Sequence, residues 1–242
     1  FGDGASFAVR NCLVTNNGGH GVCSVNGNVN VRWCKIKDNG LDGIYHDGQT
    51  RVIYVANSYI CHNKGRGIYT AGSRPVVKNG VIAGNGYLAG ESFSGIKIDT
   101  PDNDPVLYNN TIACNRKAGI NIIPKDPNFP TQADIQNCIV YYNNGSNGEI
   151  DGHDPNLVFY SCIYDANDVD GTNYTPDANG NFTGRPGFAY DDPNLYDNSE
   201  IDFNPHLAFD SPCINKGNPL LAYTDQRDID SENRVVVSTV DI

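Results

Sequence analysis

One short phrase recurs along this chain, and recurrence limits the available folds more sharply than composition does. Residues 38–46 read DNGLDGIYH, residues 62–70 read HNKGRGIYT, and residues 114–122 read CNRKAGINI. Aligning the Asn of the phrase brings seven segments into register. They end at Asn17, Asn39, Asn63, Asn85, Asn115, Asn143 and Asn167, with spacings of 22, 24, 22, 30, 28 and 24 residues. Three residues before each Asn stand Val14, Ile36, Ile60, Ile82, Ile112, Val140 and Tyr164. Five residues before it stand Cys12, Cys34, Ser58, Gly80, Asn110, Cys138 and Cys162. Columns two residues apart share one side of a strand. After the Asn comes Gly with a β-branched residue: Gly21-Val22, Gly43-Ile44, Gly67-Ile68, Gly95-Ile96 and Gly119-Ile120. In the fourth coil an inserted Tyr-Leu-Ala-Gly-Glu-Ser lengthens the step from Asn to Gly.

Each coil is therefore expected to hold a strand, a corner at Asn and a second short strand from Gly-Ile. Asn tolerates left-handed backbone and bonds its own local backbone, so it suits a corner. Stacked coils would set successive Asn amides about 4.8 Å apart. An amide both donates and accepts, so the column can form a continuous ladder. A unit of this size cannot bury its apolar side alone, so neighbours must stack. The expected fold is all-β: a parallel β-helix of about seven coils over residues 1–167, with a loop-rich segment, 168–242, packed on the last coils. A β-sandwich of short strands is the competing reading.

Composition narrows the function. The net charge of −11 argues against a nucleic-acid partner, because affinity for phosphates rests on clustered Lys and Arg. No apolar run approaches the roughly 20 residues of a membrane span. Eight Cys in an acidic, Asn-rich chain point to an exported, extracellular or cell-surface protein. The chain opens at Phe1 inside a strand-like phrase and reads as a mature chain or a piece of a larger parent. Asn109, Asn144, Asn173 and Asn181 each begin a glycosylation sequon.

The aligned coils resemble the repeats of the right-handed parallel β-helices of the pectate-lyase-like superfamily, which implies the right-handed sense. The tail resembles the closing segment of bacterial and archaeal surface β-helix proteins. Its matches are His206-Leu207, Ser211-Pro212-Cys213-Ile214 with Gly217, Arg227-Asp228-Ile229-Asp230 with Arg234, and Val240-Asp241-Ile242. Ser231 stands where that pattern has Gly. The resemblance implies a fold and a location and carries over no catalytic residue.

The Gly-Ile strands supply the candidate surface. If Ile44, Ile68, Ile96 and Ile120 point inward, one outward column reads Cys23, Tyr45, Tyr69, Lys97, Asn121 and another reads Val25, Asp47, Ala71, Asp99, Ile123. Tyr45, Tyr69, Lys97 and Asn121 form a candidate glycan-binding line, with rings against sugar faces and polar groups against hydroxyls or uronates. A catalytic reading makes Lys97 a base beside a uronate, or Asp47 and Asp99 a carboxylate pair. The bland reading leaves these groups decorating a solvated strand.

Cys12 with Cys34, and Cys138 with Cys162, are expected to stack in adjacent coils, either as disulfides or as small apolar fillers. Asp228, Asp230 and Glu232 alternate as calcium ligands do, so calcium is the candidate cofactor. Two function classes follow. One is a structural surface-layer, sheath, filament or adhesin protein that assembles with itself and associates with polysaccharide. The other is a polysaccharide lyase or glycoside hydrolase, with a groove walled by residues 86–92 and Lys125-Asp126-Pro127.

Overall fold

The structure, a computed structural model, describes residues 2–88, 90, 93–99, 101, 104–126, 128, 131–144, 149–152, 155–164, 173, 175–189, 204–220, 235–236 and 239–240. Three seven-stranded parallel sheets run side by side along a solenoid. Sheet A holds Gly2–Asp3, Val22–Val25, Ile44–Asp47, Ile68–Ala71, Ile96–Asp99, Ile120–Ile123 and Ile150–Asp151. Sheet B holds Phe7–Arg10, Val29–Arg32, Val52–Ala56, Arg74–Lys78, Val106–Tyr108, Asp134–Gln136 and Val158–Phe159. Sheet C holds Leu13–Thr15, Lys35–Lys37, Tyr59–Cys61, Val81–Ala83, Thr111–Ala113, Ile139–Tyr141 and Cys162–Ile163. Each coil therefore has three strands, where the sequence pattern predicts two. The missing strand lies in sheet B.

The core is a set of stacked columns. Ile44, Ile68, Ile96 and Ile120 pair directly along sheet A. Ile36, Ile60, Ile82, Ile112 and Val140 do so along sheet C. Val31, Val55, Val77, Leu107 and Ile135 complete the set from sheet B. All are fully buried, and each such side chain contributes about 1.5–3 kcal/mol relative to exposure.

The Asn ladder lies at the turn from sheet C to sheet A. Asn17, Asn39, Asn63, Asn85, Asn115 and Asn143 link Nδ2 to the next Oδ1 at 2.8–3.0 Å. The same Oδ1 accepts the backbone N–H of the preceding Asn at 2.9–3.2 Å. The left-handed corner residue is the one before each ladder Asn: Asn16, Asp38, His62, Gly84, Cys114 and Tyr142, with φ of 54–63°. The ladder Asn is thus selected for its amide, and its neighbour takes the corner. Asn167 lies outside the described residues. The two hydrogen bonds a seventh Asn would accept from Asn143 go to Glu149, at 3.0 and 2.5 Å.

The Gly column explains the recurring phrase. A Cβ on Gly67 would meet Ile82 Cγ2 at 2.6 Å, the Gly95 carbonyl oxygen at 2.7 Å and Asn85 Nδ2 at 2.9 Å. Gly43 and Gly119 are crowded in the same way by Asn63 and Asn143. Glycine is required here for close approach to the ladder.

The seventh coil is shifted by one residue from the sequence alignment. Ile163, and not Tyr164, pairs with Val140, and Cys162 pairs with Ile139. Tyr160 occupies the left-handed corner between sheets B and C, so Ser161 takes the place opposite Cys138 and accepts its N–H at 3.1 Å. Cys162 consequently faces out of the solenoid while Cys138 faces in, which separates the expected pair. Cys12 and Cys34 stand in adjacent coils at the start of paired sheet C strands, as expected from the repeat.

The C-terminal segment adds to the stack. Phe182 pairs with Cys162, and Asn181 Oδ1 accepts the Ser161 N–H at 3.0 Å. Ile139, Tyr141, Cys162, Phe182, Phe188 and Cys213 form a second apolar cluster outside sheet C. Asn218 reaches back to Asn137 and Gln136. Val235–Val236 and Thr239–Val240 form an antiparallel pair.

Candidate functional site

Two outer faces present functional side chains. On sheet A the predicted column forms in register: Cys23, Tyr45, Tyr69, Lys97, Asn121, then Asp151. Tyr45 and Tyr69 stack at 5.2 Å between ring centroids. The His20 ring lies tilted beside Tyr45 at 4.6 Å between centroids. Lys97 Nζ lies 5.8 Å above the Tyr69 ring, and the Arg66 guanidinium lies 4.9 Å from it and 4.5 Å from Phe93. Both rings therefore have aromatic or cationic protein neighbours. Tyr45, Tyr69, Lys97 and Asn121 are all half-buried along this line. Burial, helped by Asp47 for Tyr45 and Asp99 for Tyr69, pushes both phenols up, so they stay protonated hydrogen-bond donors.

The candidate catalytic groups are engaged locally. Lys97 Nζ forms an ion pair with Asp99 at 3.6 Å. Ala71 separates Asp47 from Asp99 in the ladder, two strand spacings or about 9.6 Å between backbones. Asn121 Nδ2 donates to Asp151 at 2.9 Å. The insertion lies at the edge of this face: Leu88 N–H donates to Lys64 and the Tyr87 hydroxyl to Cys114, both at carbonyls. Lys125 and Asp126 are described, and Pro127 lies outside the described residues.

A cluster the sequence reading missed sits beside Tyr45. Asp42 is buried, 3.4 Å from His20 Nδ1 and 3.5 Å from Arg66. Burial lowers the His20 pKa, and Asp42 partly offsets that. The neutral ring accepts the Asp42 N–H at Nδ1, at 3.2 Å. His20 and Arg66 stand in different coils at positions outside the two aligned columns, so periodicity did not connect them.

Sheet B carries the second face, also missed. Its outward column reads Arg10, Arg32, Ala56, Lys78, Tyr108 and Gln136. Arg32 lies 4.5 Å over the Tyr54 ring and Lys78 4.9 Å over Tyr108. Arg74 is exposed beside them, its Nε donating to the Asp104 carbonyl at 3.2 Å. The seven strands hold four cations and a single acid, Asp134, in a chain with 28 acidic and 17 basic residues. The Tyr108 hydroxyl is hydrogen-bonded to Asp134, which occupies that one carboxylate. Among the described residues, Arg10, Arg32, Arg74 and Lys78 form no ion pair.

The remaining predicted positions are distributed around the molecule. Asp228, Asp230 and Glu232 lie outside the described residues. Asn144 and Asn173 are exposed, while Asn109 accepts from Asn137 at the corner between sheets B and C. Asn181 Nδ2 donates to Val158 at 2.8 Å and to Asp177 at 3.2 Å. A glycan on that nitrogen would displace at least one of these bonds, so the folded chain disfavours this sequon.

Stacked parallel coils, an internal amide ladder and flat outer faces define a parallel β-helix protein. The chain belongs to the family described as the right-handed β-helix region, which it matches over residues 26–184. Comparison with curated proteins and with solved structures returned no match.

Proposed function

We propose that this is an extracellular, cell-surface β-helix protein of the pectate-lyase-like superfamily, which holds an acidic polysaccharide on the outer face of sheet B without cleaving it. The observation that carries this reading is the cation column Arg10, Arg32 and Lys78, flanked by Arg74, on a chain that is acidic elsewhere. Tyrosine rings beneath Arg32 and Lys78 orient the charged heads and limit the entropy lost on binding. A solenoid repeats such groups at one strand spacing, which suits a linear polymer with charge at regular intervals. The tail resemblance supports the surface location.

The test is affinity electrophoresis and calorimetry against uronate-rich, sulfated and neutral polysaccharides. Acidic polymers are expected to bind, neutral ones to bind more weakly, and affinity to fall with salt. Arg32→Ser and Lys78→Ser are each expected to weaken binding roughly tenfold, about 1.4 kcal/mol. Binding that ignores both substitutions, or a preference for neutral polymers, overturns the reading. Self-assembly into a layer or filament is a separate property, read by light scattering on the same material.

The polysaccharide lyase or hydrolase reading draws on the His20–Asp42–Arg66 cluster beside Tyr45. Release of unsaturated uronates or reducing ends, abolished by His20→Ala, would establish it in place of simple binding.

A further inference from the structure

Two cysteines that the repeat pattern does not bring together meet outside sheet C. Cys162 is held by parallel pairing with Ile139 on one side and Phe182 on the other. Cys213 belongs to the turn Ser211-Pro212-Cys213-Ile214. There Ser211 Oγ accepts the Cys213 N–H at 3.1 Å and the Ser211 carbonyl accepts the Ile214 N–H at 3.2 Å. Both side chains are fully buried in one apolar cluster. The two side chains interact within this cluster, and Cys162 Sγ donates to the Gly184 carbonyl at 3.2 Å. Two backbones, each fixed by its own hydrogen bonds, thus bring two cysteine side chains into one buried cluster before any covalent bond exists.

We propose that Cys162 and Cys213 are a disulfide site that clamps residues 204–220 onto the seventh coil when the chain folds in an oxidising medium. The oxidant is a low-molecular-weight disulfide such as oxidised glutathione. One cysteine gives up its proton, and the thiolate attacks a glutathione sulfur, forming a mixed disulfide and releasing one glutathione thiolate. The second cysteine, deprotonated in turn, attacks the protein-side sulfur and releases the other. The protein loses two protons and two electrons, and the oxidant gains both as two molecules of reduced glutathione. Burial holds the Cys162 thiol protonated once the segment has closed. Exchange therefore belongs to folding or to opening of the segment.

The experiment refolds the full chain from denaturant with and without a glutathione redox couple, alkylates remaining thiols in denaturant, and maps peptides by mass spectrometry. The expected result is a Cys162–Cys213 cross-linked peptide. It should come with a thermal midpoint about 5–10 °C above that of the reduced chain. Cys213→Ser and Cys213→Ala should abolish both, and the wild-type comparison stands even if either variant folds poorly. Absence of the cross-linked peptide from the oxidatively refolded chain overturns the proposal, whichever other pair has formed.

Discussion

Asn85 sits inside the amide ladder, and four of its side-chain bonds cross between coils. Its Oδ1 accepts from Asn63 N–H and Nδ2 at 3.1 and 3.0 Å; its Nδ2 donates to Asn115 and to the Ile60 carbonyl at 3.0 and 2.9 Å. Asn85→Ala leaves buried donors of Asn63 unpaired. Each orphaned group costs about 1–3 kcal/mol, so a loss of about 3–5 kcal/mol is expected in urea unfolding. A loss below about 1 kcal/mol would refute a stabilising role for the ladder. Glu149, where Asn143 delivers its hydrogen bonds, carries a pH dependence. Burial raises its carboxyl to about 8, against the opposing hydrogen bonds from Asn143. The folded chain therefore prefers the neutral acid. Its stabilising effect is complete below the usual carboxyl range and is lost as pH rises through about 8. Glu149→Gln should flatten this slope in unfolding measured from about pH 5 to about pH 9. Buried His46 acts in the opposite direction. Burial lowers its pKa, and its ring bonds the Gly27 carbonyl and Ser73. Its contribution is present above the ordinary histidine value and fades as pH falls through the lowered one. The ladder was legible from spacing alone. Glu149 was not, because it follows Asn143 by six residues and lies off the repeat.

At the scale of elements, the Gly-Ile strand and the ladder are one device. Gly67 lies against Asn85, Ile82 and the Gly95 carbonyl with no space for a methyl group. Gly67→Ala should cost about 1–3 kcal/mol through overpacking. That lowers the thermal midpoint by roughly 2–4 °C per kcal/mol for a chain of this size. An unchanged midpoint would mean the column can spread without penalty. Sheet A and sheet C were legible because the turn joining them is short and nearly constant. Sheet B was not, because the A-to-B connections span 26–28, 48–51, 72–73, 100–105 and 124–133, of very unequal length. Unequal turns move each sheet B strand out of any fixed period, so Arg10, Arg32 and Lys78 do not align in the chain as they do in space.

For the whole molecule, the C-terminal segment covers the outer side of sheet C near the end of the solenoid. Tyr141 and Ile139 would otherwise face water on that side. Ending the chain at residue 184 should uncover Ile139, Tyr141 and Phe182 and raise binding of an apolar dye, with a lower thermal midpoint. An unaltered dye signal would show that Phe188, Leu207 and Cys213 are dispensable as cover. The charge distribution also belongs to this scale. A net charge of −11 describes the sum, while on the strands of sheet B cations outnumber acids.

The recurring Asn and Gly-Ile phrase determined by itself that this chain stacks in parallel coils, which residues fill two of its three core columns, and that an amide ladder joins them. Those features are local and periodic, so spacing encodes them. Tertiary structure decided the third sheet, the one-residue shift of the seventh coil, the gathering of His20, Asp42 and Arg66 beside Tyr45, and the burial of Cys162 and Cys213 in one cluster. Each depends on turn length or on contact between distant segments, and a repeat period carries neither.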